Sequence, residues 1–279
     1  MKKITNSAIK RFTSYLKSEE KSNATIEKYI RDVTAFARWI SGGELSKSSV
    51  LEYKEQLIKS YAPASVNSII SSLNSFFIFI GEYGLRVKKL KIQKQIFAKN
   101  EKELTKSEYE RLIFAAKSSG NSRLNLIMQT ICGTGIRVSE LKYICVESLK
   151  SGRAEVSMKG KLRIIIIPQA LCRLLKKYAT RQNISSGSVF VTKSGKPIDR
   201  SCIWKLMKSL CERANVDKNK VFPHNLRHLF ARTFYAVEKD IVRLADILGH
   251  SSVNTTRIYT METWEICRRQ VQSLGLIRC

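Results

Sequence analysis

Hydrophobic residues recur at three- and four-residue steps in two stretches near the start of the chain, residues 23–41 and 66–80. This period places them along one side of an α-helix, so each stretch predicts an amphipathic helix. The first helix is expected to end at the Gly-Gly pair at 42–43. Weaker stripes of the same period run through residues 6–19 and 47–60. Together these patterns predict an all-α unit of four helices whose apolar faces cover one another.

The second part of the chain contains both helical and strand-like patterns of apolar residues. Thr105 and Glu108 fit the reciprocal capping pattern before an apolar helix over residues 109–116. Apolar and polar residues alternate within residues 153–167, and Gly160-Lys161 is expected to form a tight turn, which together predict a β-hairpin. Helical patterns then resume at about residues 169–182, 199–213, 224–237, 239–248 and 262–273. The whole chain is therefore expected to be mainly α with a small antiparallel β-sheet.

Residues 86–103 separate the two units and show no sustained apolar period. We therefore expect an N-terminal domain at 1–85, a linker, and a second domain at 104–279 that ends in a helical tail. The linker is basic through Arg86, Lys88, Lys89, Lys91, Lys94 and Lys99. A merely solvated segment would have the same composition, but in a highly basic protein such a connector favours contact with a phosphate backbone.

The net charge of the chain indicates an anionic partner. The chain has 50 Lys+Arg against 23 Asp+Glu, a formal charge of +27. Nucleic acid is the expected partner, because protein cations gain affinity by displacing the counterions of its phosphates. An anionic membrane is the alternative, but the longest apolar run, residues 164–168, is far shorter than the roughly 20 residues that span a bilayer. We expect no membrane association.

Targeting and cysteine content indicate a cytoplasmic protein. The basic N-terminus is followed by no apolar signal-peptide core. The seven cysteines are an odd number without a CxxC pair, which favours reduced thiols. With three histidines and no Cys/His cluster at ligand spacing, we expect no metal site.

Candidate chemistry is concentrated late in the chain, where all three histidines fall within 27 residues. His224 and Arg227 stand three residues apart at a predicted helix start, so both project from one face. Taken alone, this pair also fits a helix cap with a surface ion pair, and Tyr259 also fits a packing residue. Further upstream, two glycines precede Arg137, which we expect to begin a helix.

In combination, these motifs closely resemble the tyrosine recombinase (phage integrase) family. The matching motifs are Gly-Thr-Gly-Ile-Arg-Val-Ser-Glu-Leu at 133–141, His-Asn-Leu-Arg-His at 224–228, Leu-Gly-His at 248–250, and Tyr259. The resemblance covers the chain from about residue 104 and, more loosely, the N-terminal unit, which is similar to the family's core-binding domain. It implies a site-specific DNA recombinase or integrase with a mixed α/β catalytic domain and a 3′-phosphotyrosyl intermediate.

The resemblance also implies a role for each matching residue. Arg137 and Arg227 would grip the scissile phosphate, His224 and His250 would complete its hydrogen bonds, and Tyr259 would be the nucleophile.

The family's remaining catalytic residue is a lysine in a hairpin turn, and Lys159 occupies the matching place before Gly160. Met158 stands where the family usually has glycine, the turn is shorter, and Lys161 is a rival two positions away. The sequence therefore leaves Lys159 and Lys161 open. A further departure is Leu229, which replaces a small polar residue common after the second histidine.

These residue types suit phosphoryl transfer. The transition state adds negative charge on phosphate oxygens, and a planar guanidinium donates two parallel hydrogen bonds to them. A phenol with a pKa near ~10 is protonated at neutral pH, so its attack needs a base, for which His224 is the best candidate. Lys159 could protonate the leaving 5′ oxygen. Glu140 is expected to support the site by hydrogen bonding.

The covalent intermediate retains the energy of the broken bond, so resealing requires neither ATP nor a metal, and we expect no cofactor. The segment from 262 to 276 forms a basic amphipathic pattern that fits packing on its own domain. The family resemblance implies instead that this tail docks on a neighbouring protomer in a DNA-bound tetramer.

Two other functions use the same motifs. A type IB topoisomerase applies similar chemistry to relax supercoils, and a DNA-binding regulator could keep the fold without catalysis. The biological role is also open between a mobile element, which we favour, and Xer-type resolution of chromosome dimers.

Overall fold

The computed structural model describes residues 4–41, 43–92, 102–158, 161–192, 194–261 and 264–275. The chain divides into two compact units, Met1–Lys94 and Gln95–Cys279. Each unit has its own hydrophobic core.

Four α-helices form the described part of the first unit: α1 (Asn6–Ser18), α2 (Asn23–Trp39), α3 (Lys47–Ser60) and α4 (Pro63–Phe79). The predicted apolar stripes face inward, and Phe12, Phe36, Phe76 and Phe77 are fully buried between the helices. The expectation of four mutually covering helices is confirmed.

Residues 86–92, at the start of the segment that we interpret as a linker, are fixed against α4. The side chain of Asn74 accepts a hydrogen bond from the backbone nitrogen of Val87 at 3.0 Å and donates one to its carbonyl at 2.9 Å. Asn67 makes the same pair of bonds to Leu90, at 2.7 and 2.9 Å. The backbone is therefore held while its four described cations are exposed: Arg86, Lys88, Lys89 and Lys91. Lys94 and Lys99 lie outside the described residues.

The second unit is also mainly helical. Its α-helices are α5 (Lys106–Ser118), α6 (Ser122–Thr134), α7 (Ser148–Ser151), α8 (Gln169–Arg181), α9 (Arg200–Lys208), α10 (Cys211–Ala214), α11 (Pro223–Glu238), α12 (Ile241–Leu248), α13 (Val253–Thr256) and α14 (Trp264–Ser273). Short 3₁₀ helices include Val138–Tyr143 and Arg257–Tyr259. The strands are β1 (Arg153–Met158) and β2 (Lys161–Ile166).

The predicted hairpin is confirmed: β1 and β2 pair antiparallel, with Ala154 opposite Ile165 and Val156 opposite Arg163. Ala154, Val156 and Ile165 are buried, whereas alternate residues of β2 face outward because side chains alternate along a strand. Lys161 is the first residue of β2 rather than part of the turn, so the expected Gly160-Lys161 turn is wrong at its second residue. Gly160 and Lys159 lie outside the described residues.

Three helix predictions need correction. The sequence pattern missed α6 because its buried residues include the polar Asn125, Thr130 and Thr134, so polarity does not distinguish its buried side from its solvent side. The expected helix over 199–213 is two helices, α9 and α10, because a 3₁₀ bond from Leu210 to Met207 turns the chain between them. Arg137 does not begin an α-helix. It is the residue before the 3₁₀ helix Val138–Tyr143, and its own backbone is extended.

The close approach of α6 to α11 depends on Gly135, which ends α6 with a φ of 65°. A Cβ at this position would overlap the ring of Phe230. Gly135→Ala is expected to lower the free energy of unfolding by about 2–5 kcal/mol, since a left-handed backbone costs about 1–2 kcal/mol and overpacking about 1–3 kcal/mol. Urea denaturation measures this change.

Gly120→Ala is the matched control, because Gly120 also ends a helix at positive φ, 71°, but has no atom within 4 Å of an added Cβ. It should show only the backbone cost. Equal losses for the two variants would contradict the proposed overlap with Phe230.

Candidate active site

Helix α11 brings three site residues to one face near its N-terminus. Pro223 occupies the first turn, where its missing N–H is no disadvantage. His224, Arg227 and His228 then stand at positions i, i+3 and i+4, which share a face. His224 is exposed, whereas Arg227 is 1% exposed. The helix thus carries one imidazole at the surface and one guanidinium into the interior.

Arg227 is fixed by three hydrogen bonds at the centre of the site. It donates to the carbonyls of Gly135 at 2.5 Å and Leu248 at 2.7 Å, and to His250 Nε2 at 2.9 Å. Its Nε is buried and has no partner among the described residues. Burial and the nearby Arg137 lower the pKa of Arg227 to about 10, so the group stays cationic at neutral pH. None of the described carboxylates forms an ion pair with this cation, so it attracts an anion strongly.

His250 follows Gly249, the left-handed residue that ends α12. Because an arginine can only donate, His250 Nε2 accepts from Arg227, and Nδ1 carries the proton and donates to Thr256 Oγ1 at 2.9 Å. Burial and the neighbouring arginines lower the pKa of His250 to about 4. His250 is therefore neutral near pH 7, and both of its ring nitrogens are engaged, Nε2 with Arg227 and Nδ1 with Thr256.

Arg137 lies at the mouth of the site and is tied to Glu140. Its Nη1 donates to Glu140 at 3.0 Å, and its backbone nitrogen donates to the same carboxylate at 2.8 Å. Glu140 is 1% exposed, whereas the Arg137 side chain is 39% exposed. Its Nη2 makes only a long contact, 3.5 Å, with the carbonyl of Gly249. Part of the Arg137 guanidinium is therefore open to a ligand.

Tyr259 ends the 3₁₀ helix Arg257–Tyr259 and is 5% exposed. Its ring lies edge-on to His228, with centroids 5.0 Å apart, and parallel to His250 at 6.2 Å. Burial raises the pKa of Tyr259, although the nearby Arg227 opposes this shift. The phenol is therefore protonated at neutral pH and is a weak nucleophile unless a base accepts its proton.

His224 and His228 are in contact, with ring centroids 4.5 Å apart. Although His224 is exposed at the surface, its ring is partly desolvated. This desolvation and the two arginines lower the pKa of His224, so its imidazole is neutral near pH 7 and can accept a proton. Burial lowers the pKa of His228 to about 4, and its Nε2 is buried without a partner among the described residues. His228 is therefore a neutral ring that contacts both His224 and Tyr259.

A cavity of about 490 Å³ lies beside part of this cluster. Arg137, His224 and Arg227 line it together with Arg200 and Trp204 of α9. The cavity thus presents several cations and no carboxylate side chain among its lining residues. Its charge suits a phosphate group.

The structure brings five of the predicted catalytic residues into one connected cluster: Arg137, His224, Arg227, His250 and Tyr259. The supporting Glu140 joins this cluster through Arg137. Lys159 lies outside the described residues, and for Lys161 only the backbone is described, so the choice between them stays a prediction.

Sequence reasoning missed three residues of the cluster: His228, Thr256 and Arg163. His228 had a usable signal, its position one turn after His224. Arg163 had none, because its contact with Glu140 joins segments 23 residues apart. Thr256 is only six residues from His250, but the spacing does not show that the turn after α12 brings its hydroxyl to the ring.

The depressed histidine pKa values predict a pH-dependent stability. In the unfolded chain His228 and His250 bind protons as the pH falls through about 6.5, but the folded protein resists protonation until about 4. Stability is therefore full above pH 6.5 and is lost as the pH falls toward 4. His228→Phe should reduce this loss by about 1 kcal/mol per pH unit in that window. Denaturation of both proteins between pH 7.5 and 4.5 checks the difference, and parallel curves would contradict it.

Within the described ranges, no helix is both long and apolar enough to cross a membrane. Among the same residues, no group of three or more His, Cys, Asp and Glu side chains could hold a metal ion.

Comparison with known proteins adds three kinds of match. Residues 102–265 match the model of the phage integrase family, and residues 9–82 match that of the phage integrase N-terminal SAM-like domain. Tyrosine recombinase XerA of Pyrococcus furiosus is 30% identical over 286 residues, which cover 99% of this chain and 96% of the relative.

Among solved structures, XerH site-specific recombinase bound to its difH substrate matches with a TM-score of 0.71 and 20% identity, covering 95% of this chain and 84% of that one. A lambda integrase tetramer bound to a Holliday junction matches with a TM-score of 0.71 and 19% identity, covering 91% and 76%. At identities of 20% and 19%, these matches show a shared fold.

Proposed function

The chain belongs to the phage integrase family and is a site-specific tyrosine recombinase, and we propose that Tyr259 is the nucleophile with which it breaks and rejoins DNA. The arrangement of the clustered side chains is the main support for this proposal. A buried phenol packs against two neutral histidines, beside a buried arginine and a second arginine at the mouth of the same cavity.

In the proposed reaction, Arg137 and Arg227 bind the non-bridging oxygens of the scissile phosphate. Both cations stabilise the transition state more than the ground state, because negative charge on those oxygens increases as phosphorus becomes five-coordinate. Arg227 offers its unpartnered Nε, and Arg137 its exposed edge. His250 contributes by holding Arg227, and it can donate to the phosphate itself only if it exchanges its present bonds.

Two proton transfers accompany the exchange of bonds at phosphorus. The Tyr259 oxygen bonds to phosphorus, its proton passes to the neutral His224, and the bond to the 5′ oxygen breaks. Lys159 is the proposed donor of the proton that the leaving 5′ oxygen requires. The resulting 3′-phosphotyrosyl ester is then attacked by the 5′ hydroxyl of another strand, which reverses each step and releases Tyr259.

Double-stranded DNA is the proposed substrate. The net charge of +27 and the exposed cations Arg86, Lys88, Lys89 and Lys91 on a fixed backbone support contacts to phosphates flanking the cleavage site. The structural matches support this substrate, because XerH is bound to difH and lambda integrase to a Holliday junction.

We further propose that the protein acts as a tetramer on DNA, in which α14 docks on a neighbouring protomer. The described part of α14 supports this role, because Trp264, Val271 and Leu274 are all more than half exposed. Recombination of a mobile element in the cytoplasm is the proposed biological setting.

Covalent capture tests this function and locates the target site. Genomic DNA of the source organism is nicked at random with a nuclease, so that a short strand released after cleavage diffuses away and the enzyme stays attached. The mixture is denatured, the protein is isolated, and the attached DNA is sequenced.

Wild-type protein is expected to carry DNA on Tyr259 through a 3′ phosphate at one recurring sequence. Attachment without any recurring sequence, together with relaxation of supercoiled DNA, would favour a topoisomerase. Sequence-specific binding without any covalent adduct would favour a non-catalytic regulator. Either result would overturn the proposal.

A further inference from the structure

Arg163, on β2, is linked to the active site although it lines none of the cavity described above. Its side chain is 12% exposed and donates from Nη2 to Glu140 at 2.6 Å. Its Nη1 donates to the carbonyl of Ile247 at 3.2 Å, in the last turn of α12. One guanidinium therefore joins the hairpin, the Arg137–Glu140 pair and the helix that leads into His250.

The path of this side chain explains why residue 249 is glycine. A Cβ on Gly249 would lie 2.5 Å from Arg163 Cδ and 2.9 Å from its Nη1. Arg163 therefore occupies the space beside the α12 terminus, immediately before His250. A larger residue at 249 would displace either the guanidinium or the helix end.

Arg163 also changes the charge balance around Glu140. Glu140 is 1% exposed, and with Arg137 alone its negative charge would cancel the positive charge of that guanidinium. The second arginine leaves the group of three with a net positive charge directed at the cavity. A buried carboxylate between two guanidiniums is also fully compensated, whereas removal of one guanidinium leaves part of its charge unpaired.

We propose that Arg163 is a positioning residue for DNA cleavage: it neutralises Glu140 so that Arg137 keeps its charge for the scissile phosphate, and it fixes the α12 terminus that carries His250. This inference rests on the proposed function. Arg163 itself is not expected to touch DNA, because both of its terminal nitrogens are engaged inside the protein.

The test compares single-turnover cleavage by wild-type protein, Arg163→Met and Arg163→Lys on a nicked duplex recovered by the covalent capture. Arg163→Met is expected to slow cleavage by about 30- to 100-fold, the scale of a small misplacement of a catalytic group. Its half-saturating DNA concentration should stay within about threefold of wild type, since no DNA contact is lost. Arg163→Lys should recover part of the rate because it keeps a cation beside Glu140.

A neutral substrate separates this role from support of the fold. A methylphosphonate at the scissile position replaces one anionic oxygen with a methyl group, so a cation at the site matters less. On this substrate the defect of Arg163→Met relative to wild type should shrink to about threefold or less. A purely structural defect would be the same on both substrates, and that result would overturn the inference.

Arg153→Met is the matched control, because Arg153 is an exposed arginine on the adjacent strand β1 and has no part in the cluster. It should cleave both substrates at the wild-type rate. Urea denaturation of each variant establishes that the protein is folded at the assay temperature. If wild-type protein forms no adduct, the proposed function fails; if wild type cleaves and Arg163→Met cleaves equally fast, only the role of Arg163 fails.

Discussion

Replacing Tyr259 with phenylalanine is expected to remove all covalent attachment of DNA while leaving DNA binding unchanged within about twofold. The variant lacks only the oxygen that bonds to phosphorus, and no other residue can supply the same nucleophile at that position. The ring contacts of Tyr259 with His228 and His250 involve no hydroxyl group, so the local packing should survive. Gel shift and denaturing electrophoresis of the same samples measure binding and attachment separately.

Tyr235→Phe is the matched control for this variant. Tyr235 lies on α11 and packs against the same small apolar cluster as Tyr259, so the chemical change and the local environment are alike. The control should form the adduct at the wild-type rate. An adduct that persists in Tyr259→Phe, attached through another residue, would exclude Tyr259 as the nucleophile.

The parts of the site that sequence could predict are those in which local geometry fixes the contact. Arg137 and Glu140 are three residues apart, and His224 and Arg227 are three apart on a helix, so each pair shares a face whatever the rest of the chain does. Gly249 likewise places its neighbour at a helix exit.

The parts that could not be predicted require knowledge of how distant segments pack. Arg163 joins Glu140 and Ile247, which are 23 and 84 residues away in the sequence. A single arginine in an apolar strand gives no signal of such a contact, because β periodicity shows which face a side chain occupies but not what covers that face.

The same limit applies to elements of the fold. The amphipathic α2 and α4 could be predicted because one side of each faces solvent. Helix α6 buries Asn125, Thr130 and Thr134 together with its apolar residues, so its polar positions do not mark a solvent-facing side. Hydrophobic periodicity therefore could not predict α6, one of the main helices of the catalytic unit.

Arg137→Lys is expected to reduce the cleavage rate constant by about 100- to 1,000-fold, the loss typical when one group that stabilises transition-state charge is removed. Lysine keeps the charge, but its single ammonium cannot donate to Glu140 and also present a planar pair of donors to the phosphate. Because Glu140 is buried beside it, the new ammonium should be drawn to the carboxylate and away from the cavity. Single-turnover cleavage at saturating protein concentration measures the loss.

Arg111→Lys provides the corresponding control, since Arg111 also uses two guanidinium nitrogens, in bonds to the carbonyls of Ala214 and Asn215 at 2.9 and 3.1 Å. It loses the same planar donor pair in the same unit but far from the scissile phosphate in the proposed mechanism. Arg111→Lys should cleave at the wild-type rate. If Arg137→Lys were to cleave within about threefold of wild type, charge alone would be sufficient at this position, and the planar geometry that we assign to Arg137 would be unnecessary.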